Sequence, residues 1–518
     1  MNSNPISAKK ENVIGGILLF IALIIYTALQ WQQLHADIWN DEMYTLKHFV
    51  LVYFHDTVTD YHVPNNHVFF SIAEKFFLKI FHQKDLMLLL DKPWIARLPG
   101  LLFSYLTLIY IYAFGKKFYS LPVAILGVVL LITTVPFFNF ALQIRGYSLC
   151  ILFTTMILYY TFSYLHTNRK QLLFIIGLLI ALTIYTIPSN FYLAIPLVLF
   201  IGIAALTVAF RKDSSLKGNF FIKLFTNHWS LLIYSVVGGV LLSLVLYAPI
   251  LHDVFFNPNV TPATPFNKVV IQDYFPDVFT DMTSYRYLFF LPLTLAVFAV
   301  KKHTDRVLIC LLIFLMIAPF IMGYLRGEAP PGRVYSYIAP LFVMLSLPLV
   351  HQLFIRMKTN WQPALVVVFI TVYCSFCFWK VNAMIDQKLY ENLFVGNMEM
   401  GLYNNYFARH FEPYKTAKYF KDNYYHDGTV LVLHDSEPHD MPYYLDRFQM
   451  KYYEADSLDS LLQTRDSVFV ITRFPYTISD EILVHHPGWK AHFLYKEITY
   501  HNFVLLQKSK VESQKSKP

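Results

Sequence analysis

About eleven stretches of roughly 17–25 predominantly apolar residues leave this chain almost no way to fold in water. Their centres fall near Ile24, Thr107, Val129, Leu158, Gly177, Leu199, Gly239, Thr294, Phe314, Leu345 and Ile370. Each is long enough to cross the hydrocarbon of a bilayer as a helix, at 1.5 Å per residue against a core of ~30 Å. A soluble chain of 518 residues would carry polar faces at helical spacing; here 56% of residues are hydrophobic and only 15% charged. Lipid is therefore the expected solvent. Backbone N–H and C=O groups have no water to bond there, so the spans are predicted as α-helices. The first run is too long for the apolar region of a signal peptide, and no small-residue cleavage site follows it. It is expected to remain as an anchor.

The net charge of +8 matters through its placement. Lys9-Lys10, Lys116-Lys117, Arg169-Lys170, Arg211-Lys212, Lys301-Lys302 and Arg356 fall on one side of the alternating gaps. The short loops of the other side hold Arg145, Lys268, Arg286, Arg326 and Arg333. By the excess of Lys and Arg on the cytoplasmic side, the N-terminus is expected inside and the C-terminal region outside. The expected location is the plasma (inner) membrane. Nothing in this pattern asks for a nucleic acid partner. Cys150, Cys310, Cys374 and Cys377 all lie in apolar runs and read as small buried hydrophobes, not as a metal or redox site.

Polar chemistry gathers on the outer side. Between the first two spans, a loop from about His35 to Pro93 carries Phe69, Ile72, Ala73, Phe76, Phe77, Ile80 and Phe81 at helical spacing. Glu74, Lys75, Lys79 and His82 stand opposite, which predicts an amphipathic helix in the membrane interface. Leu46, Phe49, Val50 and Tyr53 suggest another before it. The tail differs in kind. Strand-like runs at Thr429–Leu433, Phe448–Tyr453, Ser467–Thr472, His492–Glu497 and Asn502–Leu506 are interleaved with helix-like runs at Thr416–Tyr424, Met441–Asp446, Ser457–Gln463 and Asp480–His485. That is the pattern of a small α/β domain, with His434-Asp435 just after a strand, where open α/β sheets often bind ligands. The expected organisation is a membrane domain over 1–380, a connector over 381–415, the α/β domain over 416–508 and a disordered end over 509–518.

Asp41-Glu42 follows the first span. A carboxylate at a membrane surface can take the proton of an attacking hydroxyl, which is worth on the order of 10²–10⁴ in rate. Aspartate also suits a helix N-terminus, so a capping role is equally open. Pro64-Asn65-Asn66-His67 comes next, and a histidine at a helix start can donate to an anionic leaving group or be purely structural. His55 and His62 lie close by; their spacing with Asp41 and Glu42 fits no recognised ligand pattern, so a divalent metal is left open and no cofactor is assigned. Arg145, in Gln143-Ile-Arg145-Gly-Tyr147, is costly among apolar neighbours unless it meets the interface or an anion. Phosphate matches its forked donors, and snorkelling to headgroups is the plainer reading. Arg326 and Arg333 flank a Pro-Pro-Gly turn on the same side.

This layout resembles the GT-C membrane glycosyltransferases, in particular the bacterial branch related to protein O-mannosyltransferases and the lipid A aminoarabinose transferase. Asp41-Glu42-Met-Tyr44 is similar to that family's Asp-Glu motif, and Asn65-Asn66-His67 to its second loop motif. Arg145-Gly-Tyr147 resembles the motif opening the fourth span, and Arg333-Val-Tyr335 with Pro340 its late Arg-Tyr segment. The correspondence runs from about residue 13 to 350. The resemblance implies a multi-pass helical fold with interfacial helices, and transfer of a sugar from a polyprenyl-phosphate carrier to an acceptor hydroxyl on the outer face, usually with inversion. The acceptor would be a glycan, a lipid or a protein, with membrane lipid around it. It implies Asp41 as general base with Glu42 as a second catalytic carboxylate that shapes its field or the acceptor, and His67, Arg145 and Arg333 near the carrier phosphate. Tyr44, Asn65, Asn66, Tyr147 and Arg326 would line the cavity. Where the family often has Glu two residues before the third-motif Arg, this chain has Gln143, and the His-Pro-Pro form of the second motif is absent.

The rival is a transporter or flippase of a lipid-linked substrate. Such proteins tend to carry ionisable residues within their spans and paired half-repeats. Here the spans are nearly free of charge and polar residues crowd one interface, which favours chemistry at the surface.

Overall fold

The computed structural model describes residues 5–210, 227–256, 303–326, 332–356, 413–434, 441–472, 482–494 and 502–509, with a few isolated positions besides. Helices α1 (Pro5–Leu29), α2 (Asn40–Thr45), α3 (Val68–Ile80), α4 (Pro93–Phe118), α5 (Leu121–Ile132), α6 (Tyr147–Thr167), α7 (Gln171–Thr186), α8 (Phe191–Phe210), α9 (His228–Leu246), α10 (His303–Arg326) and α11 (Ile338–Arg356) build the apolar part. Seven candidate spans among the described residues are long and apolar enough to cross a membrane. Nine of the expected span centres fall on α1 and α4–α11; those near Thr294 and Ile370 lie outside the described residues.

Two of the nine spans are short: α5 has 12 residues and α7 has 16. At 1.5 Å per residue neither crosses ~30 Å. The third span is interrupted. Thr133 and Thr134 turn their hydroxyls back onto the carbonyls of Leu130 and Leu131, 3.0 and 2.8 Å away, which satisfies acceptors freed by the break. A one-and-a-half-turn helix, Val135–Phe140, follows, and then irregular chain to Gly146. Irregular backbone is tolerated at such depth only when protein covers it, and here every residue from Val135 to Arg145 is buried. Close approach elsewhere relies on small residues. A Cβ on Gly239 would lie 2.3 Å from the Gly177 carbonyl oxygen, so α9 seats directly on α7, and the Ser235 hydroxyl donates across that seam to Leu173 O.

The tail forms a five-stranded mixed sheet in the order β2-β1-β3-β5-β4, with β1 Leu431–Leu433, β2 Tyr453–Glu454, β3 Ser467–Thr472, β4 Trp489–Phe493 and β5 Asn502–Lys508. β1 pairs in parallel with β2 and β3, and β5 runs antiparallel to β3 and β4. Helices α12 (Pro413–Asn423), α13 (Met441–Arg447) and α14 (Leu458–Thr464) stand close to the expected ones. The run Phe448–Tyr453 begins as a turn and continues as irregular chain, with only Tyr453 paired, because Gln449 adopts a left-handed φ of 55°. Alternation along β1 divides the packing. Leu431 and Leu433 join the core that continues into the membrane part, while Val432 faces a second cluster with Leu462, Val470 and Val504.

That division docks the tail. The Tyr444 hydroxyl accepts from Ile38 N–H and donates to Ile38 C=O, both at 3.0 Å. Asp37 accepts from Tyr414 N–H at 2.8 Å, and Arg447 makes a forked pair with Asp91 at 3.1 and 2.8 Å. The sheet domain is thereby tied to the chain just before Asp41.

Two expectations for the outer loop are corrected. Glu74 is fully buried and not on a polar face, because α3 packs inward through Val68, Phe70, Ser71, Glu74 and Leu78. Phe76 and Ile80 are more than half exposed, as the apolar face of an interfacial helix turned to lipid would be. Lys75 also turns back into the loop, donating to the carbonyls of Val50 and Val52. The segment Leu46–Val50 is helical but packs its apolar side into protein: Leu46, Phe49 and Val50 are core residues, Lys47 is exposed, and of the four expected apolar positions only Tyr53 is exposed. Of the cysteines, Cys150 is buried, but Cys310 faces outward from α10, and Cys374 and Cys377 lie outside the described residues.

Candidate active site

The broken third span creates the site, since its irregular stretch leaves N–H groups that need acceptors. Glu42 Oε1 takes the Ile144 N–H at 2.9 Å, and His67 Nδ1 takes the Gly146 N–H at 2.7 Å. The two outer-loop motifs are thus bonded to the backbone on either side of Arg145. Gly146 is required for that approach. A Cβ there would come within 2.5 Å of Thr186 Cγ2 and 3.1 Å of His67 Cβ.

Adjacent carboxylates have different fates. Glu42, at the third helical position of α2, points inward and is fully buried. It pairs with Arg97, also fully buried, whose Nη2 lies 2.7 Å from Glu42 Oε2 and whose Nε lies 3.4 Å from Oε1. The remaining Arg97 donors grip the carbonyls of Leu34, Ala36 and Asp37. Arg97 is a structural partner that the loop motifs do not announce. Its signal was an arginine in Trp94-Ile-Ala-Arg97-Leu, at the head of an apolar run, which needs a partner there. Asp41 is 24% exposed at its side chain and is in ion-pair contact with the almost fully buried Arg145. The Arg145 guanidinium also lies over the Tyr147 ring, 5.3 Å from its centroid, and its Nε–H is buried without a hydrogen-bond partner. A buried, unused donor on a cation is what an anionic ligand would satisfy.

His67 ends the non-helical chain before α3 and is 3% exposed. Its ring stands edge-on to Tyr147 at 5.3 Å. Burial, then the charges of Arg145 and Arg333, hold it well below the usual histidine range. It is therefore a neutral imidazole. Because Nδ1 accepts from Gly146, the ring proton sits on Nε2, which makes His67 an N–H donor of fixed direction. Arg333 lies in the short turn Gly332–Tyr335 and comes close enough for its charge to weigh on His67.

Other expected residues distribute as follows. Asn65 donates to Asp41 C=O at 3.1 Å, holding the turn that presents the carboxylate. Asn66, expected in the cavity lining, is instead buried in the loop: it donates to Thr57 and Asp60 carbonyls and accepts from Ser71. Tyr44 is half-buried and bonded to His62. Arg326 ends α10, and its side chain lies outside the described residues. His55 and His62 do not converge on Asp41 and Glu42. Among the described residues no three His, Cys, Asp or Glu side chains gather as a metal site would need.

Residues 75–216 match the family described as dolichyl-phosphate-mannose-protein mannosyltransferase. The structure is similar to ArnT from Cupriavidus metallidurans bound to undecaprenyl phosphate, with TM-score 0.52 and 13% identity, covering 95% of this chain and 97% of that one. It is similar to the same protein in the apo state at TM-score 0.51 and 13% identity, covering 96% and 98%. The chain has the GT-C fold. The likeness read from its four motifs therefore stands at the level of fold, over almost the whole length of both chains. A looser likeness, TM-score 0.48 at 12% identity, extends to the archaeal oligosaccharyltransferase AglB from Archaeoglobus fulgidus, covering 95% of this chain and 74% of that one. No curated protein sequence matches the chain.

Proposed function

We propose that this GT-C protein moves a sugar from a polyprenyl-phosphate carrier to an acceptor hydroxyl on the extracytoplasmic face, with inversion. One observation carries the reading: a partly exposed carboxylate, Asp41, touches a buried guanidinium that keeps an unused N–H, beside a neutral histidine. The acceptor O–H gives its proton to Asp41 while its oxygen attacks the anomeric carbon from the face opposite the carrier. The C–O bond to phosphate breaks, and its electron pair leaves on the phosphate oxygen. Arg145 and Arg333 supply positive charge to that oxygen, and His67 Nε2–H supplies a neutral donor. Glu42 and Arg97 do no chemistry; they hold the helix that aims Asp41. The similar ArnT structure bound to undecaprenyl phosphate shows that this fold accommodates such a carrier in that protein. A pure transporter would not need a carboxylate presented beside an anion site at one interface.

The test is envelope glycan analysis by mass spectrometry in cells carrying wild type, no protein, or Asp41→Asn. A sugar lost without the protein and not restored by Asp41→Asn at wild-type membrane levels is the expected result. Full restoration by Asp41→Asn would remove the base. Labelling of His82→Cys in intact cells by an impermeant maleimide checks the sidedness; protection of that exposed loop position would place the site on the wrong face.

A further inference from the structure

Asp41 has two sides, and the outer one is built. Along the helix that begins at Asn40, Tyr44 and His48 follow Asp41 on one stripe, three and seven residues on. The Tyr44 and His48 rings are stacked, centroids 4.3 Å apart and 25° between planes. His62 closes the third side at 5.9 Å from both, and buried Phe49 floors the group at 5.9 Å from Tyr44 and 5.7 Å from His62. The polar edge is fixed as well. The Tyr44 hydroxyl meets His62 Nε2 at 2.5 Å, and His62 Nδ1 meets Asp60 Oδ1 at 2.5 Å, so the rings cannot turn independently. On the far side, Lys47 sits 5.0 Å over the ring of Tyr443 from α13, which brings the sheet domain to the rim.

We infer that Tyr44, His48 and His62 form the acceptor subsite and that the acceptor is a carbohydrate, held by a pyranose ring stacked on this platform. The inference rests on the transfer reading above and names its second substrate. A pyranose offers an apolar C–H face edged by hydroxyls, which matches ring faces edged by a phenol, an imidazole and a carboxylate. The spacing agrees. Three helical residues rise about 4.5 Å, close to the width of one sugar ring, so a ring on Tyr44 brings a hydroxyl to Asp41. The Tyr443 side of the rim gives the sheet domain a place to read further residues of the same glycan.

The test uses the full chain in lipid nanodiscs with three named probes, a panel of methyl glycopyranosides, a Ser/Thr peptide and undecaprenyl phosphate. Saturation-transfer NMR on wild type is expected to mark the C–H face of at least one pyranoside. Tyr44→Leu and His48→Leu should each weaken that signal's apparent affinity by about ten-fold, the order of one aromatic contact, while undecaprenyl phosphate binds as before. His62→Gln, which keeps a polar edge but not the ring, should weaken it less than Tyr44→Leu. Absence of transfer to any pyranoside in wild type, or equal transfer in all variants, overturns the inference. Marking of a Ser/Thr peptide at this platform in place of the pyranosides overturns it too, in favour of a protein acceptor. Loss of undecaprenyl phosphate binding by wild type would strike the donor reading instead and leave the platform to stand on the glycoside arm.

Discussion

Asp41 and Glu42 are neighbours in sequence, both carboxylates, each facing an arginine, and yet they belong to different parts of the molecule. The Glu42–Arg97 pair has no exposure on either side chain and every Glu42 contact is to the protein's own frame. The Asp41–Arg145 pair is open on the Asp41 side, and Arg145 retains a buried, unused N–H. One pair is a fastener closing the first loop onto the second span and the broken third. The other is the pair on which the proposed transfer rests. The lesson is that burial and residual bonding capacity, not residue type, divide structure from chemistry here.

The sharpest way to break that contrast is to neutralise each carboxylate and read activity and stability separately. Asp41→Asn is expected to lose about 10²–10⁴ in transfer with a melting temperature close to wild type. Arg97→Leu should do the reverse first, destabilising the protein by about 3–5 kcal/mol because Glu42 is left buried and unpaired. Thermal unfolding in detergent measures it, and a stable Arg97→Leu would show that the fastener is not one. On the open pair, Arg145→Ala should weaken undecaprenyl phosphate binding about ten-fold, with Arg145→Lys falling between, since lysine keeps charge but not the fork. Equal affinity in both would remove Arg145 from the anion site.

The smallest effect concerns a third carboxyl, Glu74. Both its oxygens are buried without hydrogen-bond partners, and burial, then the charge of Glu42, push it well above the usual carboxylate range. The unfolded chain releases this proton near its ordinary value of 4.5, whereas the native fold keeps it to higher pH. The native state then binds one more proton, so stability falls as pH rises from about 4.5 towards the raised native value. Glu74→Gln should flatten that slope, being more stable than wild type at neutral pH and losing the advantage below about 4.5. A pH series of melting temperatures that runs parallel for both proteins would contradict it.

Much of this was legible in the residues. Apolar runs place nine helices, seven of them long enough to span, because lipid imposes one backbone solution on all of them and one length on those that cross. Ser467–Thr472 was read to the residue, since β-branched alternation between turn signals has few other outcomes. The loop motifs also stood out, polar clusters being conspicuous in an oily chain. Arg97 did not, because a single charge at the head of a span looks like any snorkelling arginine until its partners are known. Glu74 was misplaced because α3 has aromatic residues almost all round, and periodicity alone could not say which face meets protein and which meets lipid.

By itself, then, the sequence determined the solvent, the number and rough position of most helices, the separate character of the tail and the residues with chemical capacity. Tertiary structure alone decided how that capacity was spent. The break after Thr134 exposes backbone donors that must be satisfied, and Glu42 and His67 are drawn in to satisfy them. That engagement fixes the proton of His67 on Nε2 and leaves Asp41 facing outward with Arg145. No local pattern contains this, because hydrogen-bond demand is settled between segments about a hundred residues apart.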